Sequence, residues 1–324
     1  MRKHGKWIVT TLIICTIILW VKGEFTRILV KDANYGMQAA ISCGSIDFLF
    51  LGSSMFRQGI DIYELEEGYG ENCYVLSYNG NQPASELLQL EYLLKHGVAI
   101  RTLYLDMYAY GASKEPSISD EKIFLEMDLK EKWKYWNMIR NTTGVGAEEF
   151  WNIFVTSNND QLLIWPVNSY LINQRFHKGG NIAESASATR EELEQDKIIN
   201  TETSINDIQR EAIMSIVQIA RENQIRIVFI ETPKYATAVQ DNNYQGLMRQ
   251  YLELLDELQC EYLLSSETAK QLQMTGKTVV FDSENPVYFT DSMHLSSEGR
   301  KTYTSELIKV MWENDGTEVT GLEK

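Results

Sequence analysis

The chain has 324 residues, of which 44% are hydrophobic, and this size suits one large α/β domain or a domain with an insert. Its net charge of −15 argues against nucleic acid as a partner, because a phosphate backbone would repel so acidic a body. No cysteine spacing typical of a metal site occurs and no phosphate-cradling Gly-rich loop is evident, and neither a metal nor a cofactor is predicted.

Residues 1–23 are predicted to form a cytoplasmic tip and a transmembrane anchor. The uncharged run 7–21 lies between Lys6 and Lys22 and carries a tryptophan near each end, as interfacial residues do. As a helix it would span about 22 Å, short of the ~30 Å hydrocarbon core, and the flanking lysines can snorkel. Basic residues before the run favour a cytoplasmic N-terminus and an extracytoplasmic body. The alternative is a cleaved signal peptide, although only a weak cleavage site follows the run.

Residues 24–45 are predicted to form a membrane-proximal linker helix that leads into a buried strand at 46–51. This strand is a short apolar run typical of a parallel sheet, and it ends at a Gly-Ser-Ser turn. Ser54 then lies just beyond the carboxyl end of the strand, at the edge where open α/β sheets bind ligands. Arg57 follows as a candidate for binding a substrate anion, with a surface salt bridge as the alternative role.

Two further strands are predicted at 73–78 and 98–105. The first is followed by the polar turn Asn79-Gly80-Asn81 and by a helix whose first turn contains a proline. The second is followed by Asp106 and Tyr108, which would lie at the carboxyl edge of the sheet. Both are candidate substrate-binding residues for that reason.

A helical insert is predicted at about 111–203. Four of the seven tryptophans fall within it, which fits a lid or a glycan-binding platform, or equally a packed helical subdomain. The stretch 178–204 reads as a mobile loop. The α/β pattern then resumes and closes a domain that spans 46–314, with strands predicted at 225–230, 260–264 and 278–281 and helices from 205, at 243–257 and up to 314. The polar tail 315–324 is predicted to be disordered.

The loop before the last helix contains Asp291-Ser-Met-His294. A serine hydroxyl becomes a useful nucleophile when an imidazole takes its proton and a carboxylate holds that imidazole in the right tautomer. An aspartate and a histidine three residues apart in one loop can supply both groups. Among the four histidines, only His294 has a carboxylate at this spacing in such a loop.

The Gly-Ser-Ser turn and the Asp-x-x-His loop together resemble the SGNH/GDSL hydrolase family. The resemblance implies a three-layer α/β/α fold with a parallel sheet, and it covers about 45–110 and 205–313. It also implies Ser54 as nucleophile, His294 as base and Asp291 as the partner of His294. Ser53 occupies the position at which the family often has aspartate.

The same resemblance implies an oxyanion hole, for which Gly80 matches the family's glycine after the second strand. Preorganised donors must stabilise the charge that develops on the carbonyl oxygen. The candidates are the backbone N–H groups of Gly80 and Ser54 and the side-chain amide of Asn81. The family's Gly-x-Asn-Asp block is replaced by a segment that begins at Asp106, so its asparagine donor is missing.

Within the family, the chain looks most like a membrane-anchored branch that includes the D-alanyl-transfer protein of teichoic acid synthesis and the alginate O-acetylation proteins. The N-terminal run, the GSS block and the ETPKY segment at 231–235 carry this likeness. It implies a membrane-anchored, extracytoplasmic serine esterase or O-acyltransferase that handles acetyl or D-alanyl groups of a cell-envelope glycan or teichoic acid. A membrane-bound O-acyltransferase is an expected partner. The alternative is a non-catalytic scaffold that keeps the fold and binds a polymer or that acyltransferase.

Overall fold

The computed structural model describes residues 6–18, 21, 34–69, 72–117, 122–141, 145–156, 174–196 and 200–315. Within these ranges, six strands form one parallel sheet in the order β2-β1-β3-β6-β7-β8, and two short strands form an antiparallel hairpin. The strands are β1 (Ser45–Gly52), β2 (Cys73–Ser77), β3 (Ala99–Asp106), β4 (Phe176–His177), β5 (Gly180–Asn181), β6 (Arg226–Ile230), β7 (Glu261–Ser265) and β8 (Thr278–Val279). All six strands predicted from apolar runs are present in the large sheet.

Helices cover both faces of this sheet. Apart from a helical stretch at 6–18, the α-helices in the described part of the chain are α1 (Met37–Cys43), α2 (Ser54–Gly59), α3 (Ile62–Tyr69), α4 (Pro83–Lys95), α5 (Ala109–Ser113), α6 (Lys122–Glu126), α7 (Leu129–Ile139), α8 (Ala147–Trp151), α9 (Arg190–Gln195), α10 (Asp207–Glu222), α11 (Ala236–Val239), α12 (Asn242–Glu257), α13 (Ser266–Leu272) and α14 (Ser297–Asp315). The predicted three-layer α/β/α architecture is confirmed.

Alternation along the strands builds two cores. Leu49 and Leu51 of β1 face one core, in which α4, α10 and α12 pack. Phe48 and Phe50 face the other, together with Phe56 of α2 and residues of α14. Because successive side chains of a strand point to opposite faces, one apolar run serves both cores, as expected for a sheet covered on both sides.

Strand register brings the polar ends of the central strands together. Leu51 pairs with Leu105, and Gly52 pairs with Ser77, so the ends of β1, β2 and β3 lie side by side. β6 pairs with β3 up to Asp106. Parallel strands place all their carboxyl ends at one edge, and the turns that follow β1, β2 and β3 therefore meet there.

The stretch between α5 and α10 contains α6, α7, α8, a π-helical turn at Asn152–Thr156, the β4–β5 hairpin and α9. The hairpin lies against the edge strand β2, where Val75 N–H donates to Lys178 O at 3.0 Å. This contact covers part of an edge that would otherwise present unpaired backbone groups. The helix predicted at 161–176 lies mostly outside the described residues.

Near the N-terminus, residues 6–18 are helical, with Trp7 and Leu12 exposed. Among the described residues, no helix is long and apolar enough to cross a membrane. The anchor at 7–21 and its topology therefore stay predictions. Of the predicted linker helix, only α1 and its flanks from residue 34 onward fall within the described residues, and the tail beyond 315 falls outside them.

Candidate active site

Ser54 begins a short helix directly after the central strand β1. Ser53 is the N-cap of that helix, with extended backbone angles, and its hydroxyl accepts a hydrogen bond from Met55 N–H at 3.1 Å. A serine at the N-cap satisfies one of the free N–H groups of the first turn. The two adjacent serines thus have different surroundings: Ser53 is fully buried, whereas Ser54 is half-buried at the carboxyl edge of the sheet.

The loop that carries Asp291 and His294 is shaped by the aspartate itself. Its Oδ1 accepts hydrogen bonds from the backbone N–H groups of Met293 and His294, both at 2.8 Å. Thr290 N–H donates to His294 O at 2.9 Å and closes the loop. An aspartate that bonds the backbone two and three residues on is the usual way to fix such a turn. The carboxylate therefore has a set orientation before it meets the imidazole.

Ser54, His294 and Asp291 form a continuous hydrogen-bonded chain. Ser54 Oγ lies 2.9 Å from His294 Nε2, and His294 Nδ1 lies 2.8 Å from Asp291 Oδ2 and 3.0 Å from Oδ1. A carboxylate only accepts, so it favours the tautomer with hydrogen on Nδ1 and leaves Nε2 free to accept from the serine. The arrangement can withdraw the Ser54 proton, as nucleophilic catalysis requires.

Electrostatics keep the aspartate ionised. Burial alone would raise the pKa of Asp291, but the hydrogen bonds and charge of His294 and the two backbone N–H groups outweigh it, so its pKa lies below the ordinary value. An ionised Asp291 also stabilises the imidazolium that forms when His294 takes a proton.

The turn after β2 is bonded to the end of β1. Gly52 O accepts from Tyr78 N–H at 3.2 Å and from the Asn81 amide at 3.1 Å. The Asn81 amide nitrogen also donates to Gln89 Oε1 at 3.2 Å, and Gln89 returns a bond to Asn81 Oδ1 at 2.9 Å. Both amide hydrogens of Asn81 are therefore engaged within the protein. This geometry does not present them to a substrate, and the donor role of Asn81 stays a prediction.

Gly80 lies in the same turn and has φ 57°. This left-handed conformation suits glycine, because other residues adopt it with strain. Gly80 is half-buried and directly precedes Asn81, so the structure places it beside the end of β1. Its role as an oxyanion donor is a prediction that depends on where a substrate carbonyl would lie.

Arg57 is held by the end of β2. Its guanidinium donates to Ser77 O at 2.6 Å and to Asn79 Oδ1 at 3.0 Å, and it lies over the Phe176 ring at 5.6 Å. These contacts join α2, the turn after β2 and the β4–β5 hairpin. Substrate binding by Arg57 remains a prediction, and it would have to use donors beyond those already engaged.

Asp106 and Tyr108 follow β3 and differ in surroundings. Asp106 is buried, and its Oδ2 accepts from Ser53 Oγ at 2.5 Å and from Ser53 N–H at 3.3 Å. Tyr108 is half-buried beside Gly111, where a Cβ would lie only 2.4 Å from the tyrosine ring. Burial, and then the Asp106 charge, raise the pKa of Tyr108, so its hydroxyl stays protonated. Substrate binding by these two residues is likewise still a prediction.

The sequence analysis did not predict that a segment of the insert lies along the loop that carries Asp291 and His294. Residues 183–196 fall within the predicted mobile loop, yet Ser292 N–H donates to Asp196 Oδ2 at 2.8 Å. Ala188 N–H donates to Phe289 O, also at 2.8 Å. A depression of roughly 400 Å³ lies between this segment and Asp291. The signal that could have indicated part of this segment is the Thr189-x-x-Glu192 capping box, which begins α9.

The ETPKY segment that contributed to the resemblance is also buried. Glu231 accepts from Ser265 N–H at 3.0 Å and from Thr268 Oγ1 at 2.6 Å, and the Tyr244 hydroxyl donates to it as well. Lys234 is buried beside it, with Nζ 3.5 Å from Glu231 Oε1. A buried carboxylate with several donors is stable inside the fold, so this cluster joins β6 to β7 and α12.

Comparison with known proteins gives only distant likeness. No family model matches the chain, and no curated protein matches it. Among solved structures, a GDSL-like lipase from Bacteroides thetaiotaomicron is 9% identical, with 83% of this chain and 88% of that chain covered and a TM-score of 0.38. A "putative platelet activating factor" from Streptococcus pneumonia is 13% identical (93% and 98% covered, TM-score 0.39). A "putative acylhydrolase" from Bacteroides fragilis is 11% identical (84% and 88% covered, TM-score 0.35). Such values assign no family, and the function is therefore argued from the site.

Proposed function

We propose that this chain is a serine esterase or O-acyltransferase of the SGNH type. The observation that carries the proposal is the unbroken hydrogen-bonded chain from Ser54 through His294 to Asp291. These three side chains come from two turns about 240 residues apart in sequence, and both turns lie at the edge where α/β sheets bind ligands. A scaffold protein has no need to keep all three in this geometry.

The reaction begins when Ser54 Oγ attacks the carbonyl carbon of an ester. His294 Nε2 takes the serine proton, and Asp291 stabilises the resulting imidazolium. The carbonyl oxygen becomes negative, and the backbone N–H groups of Ser54 and Gly80 are our candidate donors to it. The C–O bond to the leaving alcohol then breaks, and His294 returns the proton to that oxygen. The product of this half-reaction is an acyl-serine.

Water or an acceptor hydroxyl completes the reaction. It attacks the acyl-serine carbon and gives its proton to His294, which passes it back to Ser54 Oγ as the acyl–serine bond breaks. Attack by water makes the protein an esterase, and attack by a polymer hydroxyl makes it a transferase. Every step is an acid–base or nucleophilic step at side chains of this chain.

The finer proposal is that the protein works outside the cytoplasm on acetyl or D-alanyl groups of a cell-envelope glycan or teichoic acid, beside a membrane-bound O-acyltransferase. It is supported by the lysine-flanked apolar run at the N-terminus and by the GSS and ETPKY segments. The exposed apolar side chains at 7–18 also fit a segment that contacts lipid.

Covalent labelling with a fluorophosphonate tests the proposed chemistry. The wild type should be labelled and should hydrolyse p-nitrophenyl acetate, whereas Ser54→Ala should show neither labelling nor hydrolysis. His294→Ala should match Ser54→Ala, because members of a triad act as a unit. Asp291→Asn should be slowed by about 10⁴-fold through the wrong tautomer. Ser305→Ala, on the last helix, is the matched control and should behave as wild type. A folded wild type that takes no label and spares the ester would instead favour the scaffold alternative.

A further inference from the structure

The turn Gly52-Ser53-Ser54, which leads into the proposed nucleophile, is hydrogen-bonded to a buried acid, Asp106. Ser53 is 0% exposed and Asp106 is 3% exposed. One oxygen of Asp106 accepts both the hydroxyl and the backbone N–H of Ser53, at 2.5 Å and 3.3 Å. The same Ser53 hydroxyl accepts from Met55 N–H at 3.1 Å. A chain of hydrogen bonds therefore runs from β3 to the first turn of the helix that Ser54 begins.

The lack of a side chain at Gly52 makes this contact possible. A Cβ on Gly52 would lie 2.4 Å from Asp106 Cβ, so the glycine leaves the room that the acid occupies. The carbonyl of Gly52 is held from the other side by Tyr78 N–H and the Asn81 amide. The turn between β1 and Ser54 is thus fixed by both neighbouring strands.

Burial of the Asp106 carboxyl group disfavours its charged form. Burial raises the pKa of Asp106, although the hydrogen bond from Ser53 and the charge of Lys234 act in the opposite direction. Among the described residues, the Asp106 side chain accepts hydrogen bonds from Ser53 alone, the residue immediately before the nucleophile. A buried polar group with such confined contacts points to a role in the geometry of the turn.

We propose that Asp106 is a positioning residue that orients the nucleophile Ser54 through the buried hydroxyl of Ser53. This inference rests on the proposed function, because it concerns the placement of the attacking oxygen. Without Asp106, the hydroxyl and the backbone N–H of Ser53 lose their acceptor, and Ser54 Oγ shifts relative to His294 Nε2. A displacement of about 1 Å from the reactive geometry costs about 10²-fold in rate. Ground-state binding of a small ester depends on other contacts.

The test compares Asp106→Ala, Asp106→Asn and Ser53→Ala for kcat and KM on p-nitrophenyl acetate and for the rate of fluorophosphonate labelling. Asp106→Ala should lower kcat by about 10²-fold with KM within about threefold of wild type. Asp106→Asn should recover most of the rate, because its amide oxygen accepts from Ser53. Ser53→Ala should still label, since Ser54 remains, but slowly. The Ser53→Ala/Asp106→Ala double variant should lose no more than the worse single variant, because both changes break one interaction.

Glu86→Gln is the matched control, as a buried acid near Asp106 whose side chain makes no hydrogen bond to the turn among the described residues, and it should keep wild-type rates. Folded Asp106→Ala and Ser53→Ala proteins with wild-type kcat would overturn the inference and leave the proposed function intact. Equal losses in Asp106→Asn and Asp106→Ala would also overturn it, because charge would then matter in place of the hydrogen bond. An unlabelled, inactive wild type would refute the proposed function itself and this inference with it. If Asp106→Ala does not fold, Ser53→Ala alone decides the outcome.

Discussion

Glu86 is a carboxyl group that the fold buries on the first turn of α4, at 3% exposure. Burial, reinforced by the nearby Asp106, raises its pKa well above the ordinary value. The folded protein therefore holds a proton that the unfolded chain releases above about pH 4.3. Stability contributed by this group is present below that pH and is lost as pH rises towards the folded-state pKa.

We expect Glu86→Gln to be more stable than wild type at pH 7, because the amide is neutral at every pH, whereas unfolding of the wild type lets the buried carboxyl release its proton. The difference should become small at about pH 3.3, roughly a unit below the unfolded-state pKa, where both states of the wild type are largely protonated. Urea unfolding at the two pH values measures it. Glu148→Gln, on the exposed surface, should change neither value. A Glu86→Gln protein that is less stable at pH 7 would show that the carboxyl makes a contact worth more than its burial costs.

Single residues also show where sequence reasoning stops. The proximity of Ser54, Asp291 and His294 was predictable from their residue types and their positions in turns, and the structure brings them within hydrogen-bond distance; their catalytic roles stay predictions. The bond between Ser53 and Asp106 was not predictable, because it joins residues 53 apart whose types alone fit many roles. Pairing of this kind depends on the register of β1 against β3, which no local pattern encodes.

In the turn after β2, the hydrogen bonds of Asn81 change the result that we expect from its substitution. If Asn81 supplies an oxyanion donor, Asn81→Ala should lower turnover by about 10²-fold or more. The structure instead engages its amide with Gly52 O and Gln89, and so we expect Asn81→Ala mainly to destabilise the fold, by about 1–3 kcal/mol.

Gln89→Ala gives the matched comparison for this turn, because it removes the other half of the reciprocal amide pair. Both variants should lose similar stability in thermal unfolding and keep kcat within about tenfold of wild type when folded. A loss of about 10²-fold in Asn81→Ala alone, with equal stability, would restore Asn81 to the oxyanion hole.

Elements with strong local patterns were predicted closely, whereas the insert was not. The apolar runs of β1, β3 and β6 are short, bounded by turn residues and rich in residues that favour strands, so their limits were right to within a residue. The segment 183–196 has no such pattern, and its order comes from bonds to the loop of Asp291, such as that between Ser292 N–H and Asp196. Tertiary contacts therefore decide its conformation.

For the whole molecule, the acidic body and the basic N-terminal flank imply different behaviour towards lipid. The chain joins the domain at α1, where Met37 N–H donates to the Tyr78 hydroxyl and Gln38 bonds Tyr92 and Glu126. These bonds fix α1 to the sheet and to α4 and α6. A body with a net negative charge does not bind anionic lipid by itself, and membrane attachment would have to come from the apolar run.

We expect the full-length protein to fractionate with membranes and to resist extraction by 1 M salt, because burial of the 7–21 run is hydrophobic and salt screens only charges. A chain beginning at Glu24 should be soluble and should retain fluorophosphonate labelling, which separates anchoring from chemistry.

Ile13→Lys should shift the full-length protein towards the soluble fraction, since a lysine at the centre of a spanning helix costs about 3 kcal/mol. Thr10→Ala, in the same run, is the control and should stay with the membrane. A mature protein that begins near Glu24 would show that the run is a cleaved signal peptide, and release of the full-length protein by salt alone would show that its attachment is electrostatic.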